Sequence, residues 1–217
     1  MPGSATANIL QKSPLELAIR AMLAFGIAIW LSSRFSPLLL QALLHYYETL
    51  VHGLDNRYWI DFALGYQTGH DKAGSDLVLL GRAEVKEAFA FAAGHARFIL
   101  QPGQQLKCST AIGVLMQPAV MLLGLLLAWP LRSAKDLLWR GGLGGMMLGV
   151  WLGLGLPLSL WLYFQEIPGK AFAPASVSPE MLIGDFLLNG GSLVVGALLA
   201  AVVLAAAPRL AHSAQHA

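Results

Sequence analysis

The single cysteine of the chain, Cys108, is the side chain best suited to nucleophilic chemistry. It follows Lys107 and stands at the start of an apolar stretch, where a neighbouring ammonium group and a helix N-terminus would both favour the thiolate. A catalytic thiol also needs a base within hydrogen-bond reach, and His95 or His70 could supply it, with Arg97 as an oxyanion partner. The simpler interpretation is a small apolar residue at a helix start.

Two polar side chains fall inside the last apolar stretch. Asp185 and Asn189 are four residues apart and so share one helix face, with Ser192 nearby. A carboxylate inside a membrane helix is a functional-site hypothesis by default, because an unpaired one costs about 2.5–3.5 kcal/mol. The pair predicts either a proton or ion role in a small oligomeric transporter, or hydrogen bonding near the membrane interface.

A third candidate set follows Pro37. Gln41, His45, Glu48 and His52 recur at steps of four, three and four residues, which places them on one helix face. Imidazole and carboxylate groups could hold a metal, but the same spacing is typical of an amphipathic helix at a membrane interface. We therefore expect an interfacial face there, with no metal and no other cofactor.

Composition and motifs exclude several classes of protein. A net charge of +2 is too small for the electrostatic footprint of a nucleic-acid-binding protein. One cysteine cannot form an internal disulfide. The sequence has no glycine-rich phosphate loop after a strand, no Gly-x-Ser-x-Gly elbow and no His-Glu-x-x-His motif, so nucleotide-binding and hydrolase functions have no support.

Hydropathy defines the elements that would position these residues. Of the 217 residues, 56% are hydrophobic and 12% are charged, about half the charge of a soluble domain. A bilayer core about 30 Å thick needs about 20 apolar helical residues, and four stretches meet that length. The sequence predicts a mainly α membrane protein with four transmembrane helices and a small β-rich (α+β) extracytoplasmic insert between the first two.

The predicted segments are a cytoplasmic N-terminus at 1–16, a first span at 17–33, an amphipathic interfacial helix at 34–52, the insert at 53–110, a second span at 111–131, a basic cytoplasmic loop at 132–140, a third span at 141–164, an extracytoplasmic loop at 165–181, a fourth span at 182–206 and a cytoplasmic tail at 207–217. Basic residues in the short flanks predict that both termini lie in the cytoplasm. Within the insert, large apolar side chains alternate from Tyr58 to Tyr66, as in a strand, and Leu77–Gly81 predicts a second strand. Residues 82–93 fit either a helix or a strand.

The third span carries a row of small residues. Gly141, Gly145, Gly149 and Gly153 recur every four residues, with Pro157 completing the row. In lipid, small residues let helix backbones approach closely, so this row predicts a docking face. The face could pack inside the chain's own bundle or against another subunit.

The order of parts from Cys108 onward is similar to the catalytic half of exosortases and archaeosortases. The features that carry the resemblance are Cys108-Ser109 at the outer start of a span, a basic inner loop from Arg132 to Arg140, a return span with Leu156-Pro157-Leu158, and a last span that starts outside. Those families are membrane transpeptidases with a Cys, Arg and His set, of which Cys108 carries over. The full plan of one span, a small exposed insert and three more spans looks more like the accessory membrane proteins that accompany exosortases.

We therefore expect a non-enzymatic accessory subunit of the bacterial inner membrane that assists an envelope protein-sorting or processing complex of exosortase type. Its partner would be a membrane protein or a second copy of the chain. The alternatives are a sortase-like cysteine transpeptidase using Cys108 and a small oligomeric transporter using Asp185.

Overall fold

The computed structural model describes residues 14–68, 75–93, 96–131, 133–172 and 179–213. The candidate bases His70 and His95 lie outside the described residues, as does Arg132. The helices are α1 (Pro14–Leu54), α2 (Ile112–Leu115), α3 (Gln117–Ala128), α4 (Ala134–Val150), α5 (Leu156–Phe172), α6 (Pro179–Phe186) and α7 (Ser192–Ser213), and the strands are β1 (Tyr58–Thr68), β2 (Ser75–Val85), β3 (Phe89–Ala93), β4 (Ala96–Leu100) and β5 (Gln105–Ala111).

Three helices in the described part of the chain are long and apolar enough to cross a membrane. They are Leu15–Leu54, Ala134–Pro168 and Asn189–Leu210. The second predicted span, 111–131, differs, because β5 continues to Ala111 and the helix that follows is divided into α2 and the 12-residue α3. The structure is thus compatible with a membrane protein of three long apolar helices and a small antiparallel sheet.

Helix α1 is continuous where the sequence predicted two elements. It has 41 residues and a length of about 60 Å, and Pro37 lies inside it. The structure therefore has no break between 33 and 34, and one helix continues from the predicted span into the predicted interfacial helix. Its second half is not an isolated amphipathic helix, because Leu40, Tyr47 and Val51 are fully buried against the sheet. That packing covers the apolar face which the sequence assigned to a membrane interface.

The strands form two antiparallel sheets. The larger sheet has the order β1-β2-β5, with Tyr58 opposite Val85 in one pair and Gly81 opposite Cys108 in the other. Strands β3 and β4 form a separate two-stranded sheet. The alternation predicted for β1 is confirmed, and the ambiguous 82–93 stretch resolves as the end of β2 followed by β3.

The main core lies where the sheet, α1 and α5 meet. Phe62 and Leu79 of the sheet pack with Leu156, Leu160 and Phe164. Gly81 makes this approach possible, since an added Cβ would lie 2.6 Å from the sulfur of Cys108 and 2.8 Å from the Phe164 ring. The sheet therefore leans on the long helices, as expected for an insert too small to build an independent core.

Helices α4 and α5 are joined through a five-residue π-helical turn, Trp151–Gly155, into one long element. Two segments that the sequence assigned to loops are partly helical as a result. The helix already begins at Ala134, inside the predicted 132–140 loop, and it runs to Phe172, beyond the predicted end of the span at 164. Arg140 is buried because its guanidinium binds the Asp136 carboxylate at 2.8 Å and the carbonyl of Trp129 at 3.2 Å.

The last predicted span is interrupted near its start. Residues Leu187–Gly191 are wider than an α-helix, and Asn189 and Gly190 leave helical geometry, with φ at Gly190 of +99°. The kink separates α6 from α7. Helix α6 starts at Pro179, before the predicted start of the span at 182, and α7 continues to Ser213, past the predicted end at 206.

Candidate functional site

The thiol of Cys108 is not placed as a nucleophile. It lies in β5 rather than at a helix N-terminus, so the helix field invoked from the sequence is absent there. Burial raises the pKa of the thiol to about 12, and the backbone hydrogen bond with Gly81 only partly offsets this. Since the thiolate is the reactive form, the prediction of a lowered pKa is wrong.

The proposed catalytic partners of Cys108 are not assembled around it in the described residues. Arg97 is exposed on β4, in the two-stranded sheet, and pairs across to Ala92. His95 is not described. The described part of the chain therefore contains no hydrogen-bonded set of Cys108 with a base and a cation.

Part of the predicted polar face of α1 contacts the sheet. Glu48 accepts a hydrogen bond from the backbone N–H of Phe62 at 3.0 Å, which satisfies a donor on the outer strand β1. His52 stacks on Trp59 with ring centroids 6.1 Å apart, and its ring nitrogens lie within 3.4 Å of the Lys86 ammonium. His45 is almost fully exposed and Gln41 is exposed. No group of three possible metal ligands occurs among the described residues.

Asp185 differs from the lone intramembrane acid that the sequence suggested. It lies on α6, before the kink, and is nearly half exposed. Its carboxylate binds the ammonium of Lys170 at 2.8 Å, and Lys170 also pairs with Glu166 of α5. The kink at Asn189 breaks the four-residue spacing that would have aligned it with Asp185. Ser192 is buried and donates to Gln117 at 2.7 Å.

The sequence interpretation missed two polar contacts at this end of α5. Glu166 is buried, and its partner Lys170 follows at the i,i+4 spacing that stabilises helices, a signal hidden by assigning both residues to a loop. Gln165 donates to the buried carboxylate of Asp55 at 3.0 Å. Arg57 holds the same carboxylate through its Nε at 2.7 Å.

These contacts control the ionisation of Asp55. Burial by itself would raise its pKa, but the hydrogen bonds and charge of Arg57, helped by Gln165, outweigh burial and hold this pKa below its ordinary value. The guanidinium of Arg57 also lies 4.3 Å from the centre of the Phe89 ring, a cation–π contact. The cluster joins the end of α1, the start of β1, strand β3 and α5, so its role is to position elements.

The predicted glycine row has an open face. Gly141, Gly145 and Gly149 are exposed, and a Cβ added to any of them would meet no heavy atom within 4 Å. Gly153 is partly covered, because its carbonyl accepts a hydrogen bond from Tyr46 at 2.7 Å. The first three glycines therefore do not pack inside the chain. We call Gly141, Gly145 and Gly149 the open glycine face.

Other glycines form the close helix contacts of the bundle. A Cβ at Gly196 would lie 2.6 Å from the Pro118 carbonyl, and one at Gly124 would lie 2.5 Å from the Phe25 ring. Helix α3 thus packs closely between α1 and α7, and the glycines that allow this packing do not belong to a regular row. Of the predicted candidates, the open glycine face alone combines accessibility with a chemistry suited to binding, so it is the candidate site.

Comparison with protein-family models, with curated proteins and with solved structures found no match. The resemblance to exosortase-associated proteins accordingly stays a prediction from the order of parts.

Proposed function

We propose that this chain is a non-enzymatic, multi-pass accessory subunit of a bacterial inner-membrane complex, and that it binds a second membrane protein through the open glycine face. The observation that carries the proposal is the accessibility of Gly141, Gly145 and Gly149 on a membrane-length helix. A helix face without side chains leaves a shallow groove that acyl chains fill poorly. A partner helix fills it well, because the two backbones can approach closely.

The surroundings of this face favour a helical partner. Leu138, Met146 and Val150 on the same helix are exposed and apolar, so a partner there would also cover large side chains. The chain's own bundle uses a different side of α4, where Gly144 is buried against Leu126. One side of α4 is therefore committed to the bundle and the other is free for a partner.

The proposed topology has four crossings. Strand β5 ends beside the sheet core, whereas α4 begins at the opposite end of the long α4–α5 element. Residues 112–133 must cover that distance in the opposite direction. Helices α2 and α3 together would therefore form one short membrane crossing, in addition to the three long helices. We place both termini in the cytoplasm and the sheet outside, as the basic flanks suggest.

The nature of the partner follows from the resemblance in the order of parts. It would be an envelope protein-sorting or processing enzyme of exosortase type, and the exposed sheet would meet that enzyme or its client. A protonated thiol at Cys108 removes the main support for the chain acting as the transpeptidase itself.

The test uses crosslinking in native membranes with Gly145→Leu and Gly149→Leu. A Cβ at either position meets no other described part of the chain within 4 Å, and a leucine there would fill the groove, so we expect the crosslinked complex to be lost while the protein accumulates normally. The matched control is Gly26→Leu, which adds the same side chain to an exposed and open position of α1 and should leave the complex intact.

Two outcomes would contradict the proposal. The first is a chain that crosslinks to no second membrane protein. The second is a complex that survives in both glycine variants. If two differently tagged copies of this chain crosslink to each other and to nothing else, the open glycine face is a homo-oligomer interface and the accessory role is wrong.

A further inference from the structure

A cavity of about 570 Å³ lies between α1, α3, the start of α7 and one end of the larger sheet. Its volume falls in the range of about 300–1,000 Å³ that is typical of small-molecule sites. Its lining includes Ile29, Ser33 and Ser36 of α1, Asp76 of β2, and Gln117 and Val120 of α3.

The cavity is mainly apolar, and its polar residues lie toward the sheet, beside the apolar Leu77 and Ile112. Ile29 lies about 10 Å from Ser36 along α1, on the side away from the sheet. Helix α3 runs in the opposite direction, so Val120 lies beside Ile29 while Gln117 lies nearer to the serines. Asp76 closes the sheet end. This is the arrangement expected for an amphiphile whose chain points into the bundle and whose head lies near the sheet.

The polar end offers mainly hydrogen-bond acceptors. Pro37 has no amide hydrogen, so the carbonyl of Ser33 lacks the donor that an ordinary helix would supply. The hydroxyl of Ser33 donates to the carbonyl of Trp30, and that of Ser36 donates to the carbonyl of Ser32. The hydroxyl groups of Ser32 and Ser36 also share a hydrogen bond at 3.1 Å, so the acceptor left without a helix donor at this end is the carbonyl of Ser33.

The charge at the polar end is negative. Asp76 is exposed, and it is the one charged residue among the described residues that line the cavity. Gln117 adds a neutral amide whose oxygen is already occupied by the hydroxyl of Ser192. A complementary head therefore carries a positive charge and several N–H donors, which describes a primary ammonium group.

We infer that this cavity binds one membrane lipid whose headgroup ends in a primary ammonium, as phosphatidylethanolamine does. The ammonium donates to the Asp76 carboxylate and the Ser33 carbonyl, and part of one acyl chain lies along Ile29 and Val120. The cavity is lined by residues of α1 and α7, two membrane-length helices, so it lies at a depth that a bilayer lipid can reach. This inference does not depend on the open glycine face.

The test measures lipid binding to the purified full chain by native mass spectrometry. The probes are phosphatidylethanolamine, phosphatidylcholine and phosphatidylglycerol with the same acyl chains. Phosphatidylcholine keeps the positive charge but has no N–H donors, and phosphatidylglycerol has no cation. We expect phosphatidylethanolamine to bind about tenfold more tightly than either, as one charge-assisted hydrogen bond would give.

Two variants locate the site. Asp76→Asn should remove most of this preference, whereas Asp61→Asn, which removes the same charge from an exposed position of β1 outside the cavity, should keep it. Gly113 lines the cavity, and a Cβ added there would meet nothing within 4 Å, so we expect the larger side chain of Gly113→Leu to reduce the space for a lipid and to weaken binding of all three.

The inference is overturned if phosphatidylethanolamine and phosphatidylcholine bind equally well. It is also overturned if Gly113→Leu binds all three lipids as the unmodified chain does, which decides the matter even if Asp76→Asn fails to fold. Equal preference in Asp76→Asn and Asp61→Asn would show that the ammonium is recognised elsewhere.

Discussion

Asp55 shows how one side chain can connect distant parts of this chain. Its carboxylate is almost fully buried, yet it is held by Arg57, two residues later, and by Gln165, 110 residues later. A buried carboxylate with such partners favours its ionised form, and its lowered pKa reflects this. The end of α1 and the end of α5 are thereby joined through a single charge.

We expect Asp55→Asn to destabilise the protein at neutral pH by about 1–2 kcal/mol, near the lower end for hydrogen bonds to a charged group because Arg57 is partly exposed. The pKa of Asp55 is lowered on folding, so its contribution is complete well above the ordinary value of 3.8 and is lost as pH falls through the lower folded-state pKa. The thermal midpoints of the two proteins in detergent should therefore converge below about pH 4. A constant difference from pH 7 to pH 3 would contradict this account.

The residues of this cluster could not be found from the sequence. Asp55 and Arg57 lie in an ordinary polar stretch, and nothing in the spacing relates them to Gln165. The reverse holds for Cys108, which has the residue type and neighbours of a reactive thiol. Its strand position and the close packing of Gly81 give it the opposite character. In both cases burial in the tertiary structure, and not the local sequence, determines the chemical character of the side chain.

At the scale of elements, the glycines fall into two groups. Some allow close contacts between helices inside the bundle, and others lie on helix surfaces that no other described part of the chain contacts. Gly196 lets α7 approach the backbone of α3, because its missing Cβ would meet the Pro118 carbonyl at 2.6 Å. Backbone atoms cannot rotate away as the end of a flexible side chain can. Gly145 has no such neighbour.

We expect Gly196→Leu to destabilise the purified protein by about 2 kcal/mol or more, since overpacking against backbone forces the helices apart. Gly145→Leu is the matched control, because it adds the same side chain to a membrane-length helix at an open position and should leave the thermal midpoint unchanged. Both midpoints would be measured in the same detergent. Equal losses in the two variants would contradict the division between closed and open glycines.

Helices and strands could be predicted from the sequence where their residue pattern is local. The alternation in 58–66 defines β1, and the first three glycines of the predicted row lie on α4, whereas Gly153 lies in the π-helical turn. The continuity of α1 was hidden, because Arg34 and Pro37 together resemble a helix end. One proline removes one hydrogen bond from the helix, and the burial of Leu40, Tyr47 and Val51 against the sheet offsets that loss. Such packing involves residues far apart in sequence.

At the scale of the whole molecule, the direction of insertion can be tested with single cysteines in a Cys108→Ala background. Asn56 follows α1 at the sheet end, and Lys135 lies near the start of α4; both are exposed. In the proposed orientation, a membrane-impermeant maleimide should label Asn56→Cys on intact spheroplasts and should label Lys135→Cys only after permeabilisation.

The reverse labelling pattern would put the sheet in the cytoplasm. Labelling of both cysteines on intact spheroplasts would contradict the crossing between them. Hydropathy predicted that the chain is rich in membrane-length helices, and three are present among the described residues. Hydropathy predicted a full-length span over 111–131 and could not predict that α3 would be short. The stability of a helix enclosed by α1 and α7 depends less on its own length and apolarity than that of a helix surrounded by lipid.

The unbroken course of α1 has a mechanical consequence. Because the same helix supports the sheet at one end and enters the bundle at the other, a tilt of the whole helix moves both ends together. Over a length of about 60 Å, a tilt of about 10° displaces the far end by about 10 Å. A neighbour that leans on the bundle would thus swing the sheet by two strand widths, as a lever arm does.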